Sequence, residues 1–69
     1  MEKFLIEIEN IPSEEESKTL YDAMRELGVI NMFYTGSKAY IYGNLDSTSV
    51  DIIEQRISDR GYEFRTERG

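Results

Sequence analysis

The chain has 69 residues, of which 39% are hydrophobic and 32% are charged, and its formal net charge is −6. A chain of this length forms one domain, 1–69, and buries only about 60% of the surface that its unfolded form exposes. Cysteine and histidine are absent, which excludes disulfides, thiolate metal sites and the commonest catalytic base.

The first third of the chain predicts a strand followed by a helix. Lys3–Glu9 alternates apolar and polar residues, which is typical of a half-buried strand. Ser13 followed by three glutamates predicts a helix near 13–27, with Ser13 as the N-cap and Glu16 as its capping-box partner. Gly28 stands where a helix commonly ends in a left-handed residue. The apolar stripe of this helix consists of Leu20, Ala23, Met24 and Leu27.

A β-hairpin is predicted in the middle of the chain. Its strands are Val29–Tyr34 and Lys38–Tyr42, and they are joined by a turn at residues 35–37. The strand Val29–Tyr34 has neither charge nor proline, although the predicted topology places it at a sheet edge. Soluble proteins usually guard such edges. Two interpretations stay open: a short twisted strand needs no guard, or a partner strand docks there.

The last third predicts a second helix and a fourth strand. The helix is expected near 48–60, with Thr48 as its N-cap and Asp51 as the capping-box partner. Its apolar stripe consists of Val50, Ile53 and Ile57. Gly61 ends this helix as Gly28 ends the first, and the strand Tyr62–Thr66 follows. We expect the last two residues, 68–69, to be frayed.

The order of these elements is β-α-β-β-α-β, with Gly28 and Gly61 in equivalent positions between a helix and a strand. Two such βαβ halves define an α+β, ferredoxin-like sandwich. Right-handed crossovers then predict a four-stranded antiparallel sheet in the order 4-1-3-2, with two helices on one face.

The sequence resembles the heavy-metal-associated domain family, the small copper-chaperone-like fold. The motifs that carry the resemblance are Gly28-Val29, Ser47-Thr48-Ser49 and Gly61-Tyr62, with the apolar stripes of both helices. The family's metal loop, Met-x-Cys-x-x-Cys, would fall on residues 11–16, where Ser13 and Glu16 occupy the cysteine positions. Soft metal ions require thiolate or thioether ligands. We therefore expect a metal-free relative in fold only, without a cofactor.

An apolar patch is predicted on the sheet face that points away from the helices. If Ala39 and Ile41 face the helices, Tyr40 and Tyr42 of the same strand face outward. Phe33 joins them if its strand alternates simply, whereas a bulge after Gly28 would turn it inward. The candidate partner-binding residues are Leu5, Glu7, Glu9, Phe33, Tyr40 and Tyr42, and Glu63 and Arg65 are expected on the same face. Tyrosine is favoured at interfaces but is also common in strands, so both interpretations stay open.

The sequence contains a second candidate surface, the acidic patch formed by Glu14, Glu15 and Glu16 at the start of the first helix. An acidic chain is repelled by nucleic acid and by anionic membranes. It can instead meet a basic protein surface. The interface is therefore expected either on the apolar sheet face or on this acidic helix start.

We expect a non-enzymatic protein-interaction module, a regulator or inhibitor that occupies another protein's surface. The partner is a protein, with a basic surface as one option, or a second copy in a homodimer through the sheet face or the edge of strand two. One alternative is a virus-type acidic inhibitor that mimics nucleic acid and blocks a basic channel; another is a small-ligand regulatory domain, by analogy with the fold. Neither a signal-peptide pattern nor a stretch of roughly 20 apolar residues is present, so we expect a cytoplasmic location.

Overall fold

The fold is a four-stranded antiparallel sheet with two helices. It was obtained as a computed structural model, which describes residues 1–28 and 30–69. The strands lie in the order β2-β3-β1-β4, which is 4-1-3-2 when it is read from the β4 edge. The elements along the chain are β1 (Glu2–Ile8), α1 (Glu14–Asp22), a 3₁₀ turn (Arg25–Leu27), β2 (Ile30–Thr35), β3 (Lys38–Leu45), α2 (Ser47–Asp59) and β4 (Phe64–Arg68).

One face of the sheet and both helices share a single core. Alternate residues of β1 are buried, as are Ala39 and Ile41 of β3, which lie opposite them in the ladder. The apolar stripes of α1 and α2 join the same cluster. The other face of the sheet is therefore left without a covering layer. The core residues from β1, from α1 and the turn that follows it, and from α2 are Phe4, Ile6, Ile8, Leu20, Met24, Val50, Ile53 and Ile57.

The first helix is shorter than predicted. It ends at Asp22 instead of residue 27, and the chain continues into tighter turns, in which the Met24 N–H donates to the Tyr21 carbonyl at 3.0 Å. The last turn of α1 has no basic residue of its own. Arg56 of α2 supplies the missing cation, since its guanidinium donates to the Ala23 carbonyl. The helix end is thus fixed by a contact with the second helix.

The N-cap of α1 is confirmed, whereas the predicted N-cap of α2 is wrong. The Glu16 N–H donates to Ser13 Oγ at 3.2 Å. In the described part of the chain, the Glu16 carboxylate accepts from the Tyr62 hydroxyl at 3.3 Å rather than returning to Ser13. At α2 the cap is Asp46, which accepts from the Ser49 N–H at 2.8 Å, and Thr48 lies inside the helix. Because β3 continues to Leu45, Asp46 is the residue at which the backbone turns from strand to helix.

The strand boundaries also differ from the prediction. Val29, the predicted first residue of strand two, lies outside the described residues. The last strand is Phe64–Arg68 rather than Tyr62–Thr66, because the Tyr62 N–H closes the end of α2 on the Ile57 carbonyl at 3.3 Å. The expected fraying of the last two residues is wrong. Arg68 opposes Phe4 in the sheet, and the Gly69 N–H donates to the Lys3 carbonyl at 2.9 Å.

The two glycines that link helix and strand have different physical roles. Gly61 has φ 82, and a Cβ atom at this position would meet nothing within 4 Å, so only its backbone conformation favours glycine. Gly28 does not end α1. Its φ is 145, and a Cβ atom there would clash with Cδ2 of Leu45. Gly28 therefore allows close packing against β3 as well as an unusual backbone conformation.

We predict that Gly28→Ala destabilises the domain more than Gly61→Ala. The first change adds both strain and a clash with buried Leu45, for about 3 kcal/mol, whereas the second adds only strain, for about 1 kcal/mol. Urea unfolding followed by circular dichroism measures both variants. Equal losses of stability would contradict the close packing of Gly28 on Leu45.

We predict that Ser13→Ala costs about 1 kcal/mol of stability, because the Glu16 N–H loses its hydrogen-bond acceptor. The matched control is Ser58→Ala, an exposed serine near the end of α2. Thermal unfolding of both variants gives the difference. Unchanged stability of Ser13→Ala would contradict a stabilising role for this cap.

Candidate functional site

The six predicted partner-binding residues lie together on the open face, the sheet surface that points away from the helices. The strand register aligns Phe33, Tyr40, Glu7 and Arg65 in one row across the four strands. The adjacent row consists of Asn31, Tyr42, Leu5 and Glu67. Glu9 follows β1 and lies 3.4 Å from Lys38 Nζ.

The apolar part of the open face is exposed. The relative exposure is 57% for Phe33, 42% for Tyr42 and 36% for Leu5. Phe33 points outward, so β2 keeps the simple alternation that was one of the two alternatives. The ring centroids of Phe33 and Tyr40 lie 6.4 Å apart, with the rings inclined by 34°. This places a tilted aromatic pair beside the β2 edge of the sheet.

A shallow hollow lies next to this aromatic pair. Its volume is about 550 Å³, and it extends from Tyr42 and Leu5 to the end of β4. Asn31 and Asn44 contribute amide groups to its lining, and Lys3 contributes an ammonium group. The hollow is therefore lined by both apolar and polar residues, which suits a side chain of a partner as well as it suits a small molecule.

Glu7 is the most highly connected charged group on the open face. Its Oε2 accepts from Lys38 Nζ at 2.8 Å, and its Oε1 accepts from Arg65 Nη2 at 3.0 Å. The Tyr40 hydroxyl lies 3.5 Å from Oε2. The hydrogen bond from Lys38, followed by that from Arg65, holds the pKa of Glu7 below its usual range, and Glu7 in turn raises the pKa of Lys38. The apolar patch is thus bordered by ion pairs of Glu7 with Lys38 and with Arg65, the latter of which was expected on this face.

The negative charge of the protein is not concentrated on the open face. The remaining ten acidic and five basic residues of the 14 and eight in the chain lie on the helix side, the loops and the ends of the molecule. The open face has a nearly balanced charge, and the helix side carries most of the net charge of −6. The charged residues of the open face are Glu7, Glu9, Glu63 and Glu67 with Lys3, Lys38 and Arg65.

The second candidate surface, Glu14, Glu15 and Glu16, is separate from the open face. All three side chains are exposed in the first turn of α1, which packs on the opposite side of the sheet. Their carboxylates suit the positive end of the helix dipole. Glu16 also contacts Tyr62, and burial, followed by the charge of Glu16, raises the pKa of the Tyr62 hydroxyl. The structure therefore offers two distinct surfaces rather than one continuous site.

An ion cluster on the helix side was missed by the sequence analysis. The Arg68 guanidinium lies 2.6 Å from Asp51, 2.9 Å from Glu54 and 3.2 Å from Glu2. Asp51 and Glu54 are three residues apart on α2 and so share one side of the helix, which was the available signal. Because every group has a partner inside the cluster, we interpret Arg68 as a structural clamp between α2 and the sheet.

Residues 11–16, which stand at the position of the family's metal loop, contain the N-cap of α1, Ser13. Among residues 1–28 and 30–69, there is no group of three or more histidine, cysteine, aspartate or glutamate side chains placed to hold a metal ion.

None of the described helices has the length and apolar character needed to cross a membrane. Comparisons with protein-family models, curated proteins and solved structures give no match. The resemblance to the heavy-metal-associated domain stays a prediction.

We predict that the carboxyl group of Glu7 titrates below the usual range of a glutamate, and that Lys38→Met raises its pKa more than Arg65→Met does. The bond from Lys38 is the larger cause of the lowered pKa. A group with a lowered pKa stabilises the fold above its unfolded pKa, and this contribution is lost as the pH falls through the folded pKa. Carbon-detected NMR titration of the glutamate side chains measures the effect.

The control for this titration is Lys18→Met, which removes an exposed cation of α1. It should leave the pKa of Glu7 unchanged. A Glu7 pKa that Lys38→Met does not move would contradict the ion pair.

Proposed function

We propose that the protein is a non-enzymatic interaction module of the ferredoxin-like class, and that its open face binds a partner protein. The strand order β2-β3-β1-β4 and the single core shared by both helices support this fold class. The same proposal includes that this chain is a metal-free relative of the heavy-metal-associated domain family. Its support is that Ser13 and Glu16, at the cysteine positions of the family's loop, serve as a helix cap and as an acceptor for Tyr62.

The observation that carries the proposal is the clustering of exposed apolar side chains. Of the five large hydrophobic side chains that are exposed in the described chain, three belong to the open face: Leu5, Phe33 and Tyr42. The other two, Met1 and Ile52, are isolated at the N-terminus and on α2. Scattered exposed apolar residues need no explanation, but contiguous ones mark interaction surfaces.

The charge of the open face defines the chemistry of the partner. Glu7 is already neutralised by Lys38 and Arg65, so a partner would gain little from bringing a cation to it. A partner surface of apolar and aromatic side chains with few charges fits this face best. Its binding should depend weakly on salt, since steering by net charge contributes little to such a contact.

A second candidate function, the acidic inhibitor of a basic channel, is favoured by the segregation of charge. The helix side, including Glu14, Glu15 and Glu16, carries the excess of carboxylates over basic groups. Such a surface suits a strongly basic partner, including one that normally holds nucleic acid. In contrast to the open face, this contact would weaken steeply with salt.

The experiment that separates these functions uses matched apolar variants. We expect Leu5→Ser and Tyr42→Ser each to weaken the complex by about 1 kcal/mol or more, because they remove anchors of the open face. Ile52→Ser, which removes an equally exposed apolar side chain from α2, is the control. The partner is captured with the tagged protein from the organism that makes it, and affinities are then measured by calorimetry at low and high salt.

The contrary result is also specific. If both open-face variants bind normally, while replacement of Glu14, Glu15 and Glu16 by glutamine abolishes a salt-sensitive complex, the interface is the acidic helix start. Thermal melting of the same variants separates lost binding from lost folding.

A further inference from the structure

The β2 edge of the sheet has a short stretch of backbone that is open to pairing. A two-residue turn, Gly36-Ser37, joins β2 to β3, and Gly36 has the positive φ of 63 that such turns require at their first position. In this geometry Thr35 and Lys38 exchange hydrogen bonds, and bonded and non-bonded pairs then alternate along the ladder. Phe33 and Asn31 therefore bond to β3. The N–H and C=O groups of the intervening residues point away from the sheet.

One of these outward groups has a partner within the protein. The Ile30 carbonyl accepts a hydrogen bond from the Tyr21 hydroxyl at 3.0 Å, which agrees with the alternation derived from the turn. The Tyr21 hydroxyl on α1 thus occupies the start of the β2 edge. Apart from the Ile30 N–H, the outward backbone groups that remain along β2 are the N–H and C=O groups of Met32 and Tyr34.

We propose that the β2 edge pairs antiparallel with the β2 edge of a second copy of this chain, with Phe33 on the two-fold axis. In this register Met32 of one copy lies opposite Tyr34 of the other, and the two residues exchange N–H···O=C bonds. The two-fold symmetry repeats this pair on the other side of the axis. The dimer therefore uses the N–H and C=O groups of both Met32 and Tyr34 on each edge. A shift by two residues in either direction leaves part of this set unpaired or requires the Ile30 group that Tyr21 occupies.

The charge of the edge favours a second copy as the occupant. β2 consists of Ile30–Thr35 and contains no charged residue, so two copies bring no like charges together along the seam. The opposite edge, β4, carries Arg65, Glu67 and Arg68, a pattern that blocks edge-to-edge pairing. In the proposed register the residue pairs across the seam are apolar or neutral: Phe33 with Phe33 and Asn31 with Thr35 on one side, and Met32 with Tyr34 on the other.

The pairing extends the proposed function without depending on it. Both open faces would lie on the same side of one eight-stranded sheet, with the two Phe33 rings at its centre. The dimer would therefore present two apolar patches to a partner at once. The edge contact is made by backbone groups, so it can be tested without the partner.

The test uses the absence of natural cysteines in the chain. Residues on a two-fold axis meet their own copies, and a non-bonded antiparallel pair has the close approach that a disulfide needs. We expect Phe33→Cys to form a covalent dimer under mild oxidation at least about tenfold faster than Asn31→Cys or Thr35→Cys alone. An equimolar mixture of Asn31→Cys and Thr35→Cys should cross-link, because these two positions oppose each other.

Two further measurements make the test decisive. Sedimentation of the unmodified protein should show a dimer whose population rises with concentration, and Tyr42→Cys, on the interior strand β3, should cross-link slowly. A protein that stays monomeric at all accessible concentrations would overturn the proposal. So would faster cross-linking of Tyr42→Cys than of Phe33→Cys, which would indicate stacking of two sheet faces, or equal rates for Phe33→Cys and Asn31→Cys, which would indicate random collision.

Discussion

The structure depends on the burial of one face of β1. This strand lies inside the sheet, between β3 and β4, and its residues Phe4, Ile6 and Ile8 are at most 2% exposed. The apolar stripes of both helices are used to cover this face. Within residues 1–28 and 30–69, no further helix or strand covers the other side. The open face is thus a direct consequence of a core that is one layer thick, and its composition decides what it can bind.

Glu7 organises that open face from the centre of the sheet. Its two carboxylate oxygens hold Lys38 of β3 and Arg65 of β4, so one side chain of β1 links both neighbouring strands. Exposed ion pairs add little to stability. Their effect here is to fix the long side chains of Lys38 and Arg65 beside the aromatic patch and to remove free charge from it. The patch can therefore meet an apolar partner without leaving the Glu7 carboxylate unpaired.

The sequence predicts those parts of the fold that depend on neighbouring residues. Alternation identified the strands, and the spacing of Ser13 and Glu16 identified a cap within one turn. The end of α1 could not be predicted, because it depends on Arg56, which is distant in sequence and donates to the α1 carboxyl end. Asp46 was missed as a cap because the length of β3 is set by pairing with β1. Arg68 was expected to fray because its three carboxylate partners come from other elements. Alternation placed the open-face residues, but no local pattern encodes the identity of a partner.

The β2 edge of the sheet shows how the early end of α1 restricts the pairing of a further strand. Since α1 ends at Asp22, Tyr21 lies in its last turn and reaches the first residue of β2, where its hydroxyl donates to the Ile30 carbonyl in place of a pairing strand. Arg25 lies over the Tyr21 ring, with 5.8 Å between the guanidinium carbon and the ring centroid, and so holds the ring in place. The β2 edge is therefore shortened by a hydroxyl rather than guarded by charge. A strand could pair with this edge only over a length and in a register that the helix allows, and this would make the proposed two-fold contact more specific than an unrestricted edge would permit.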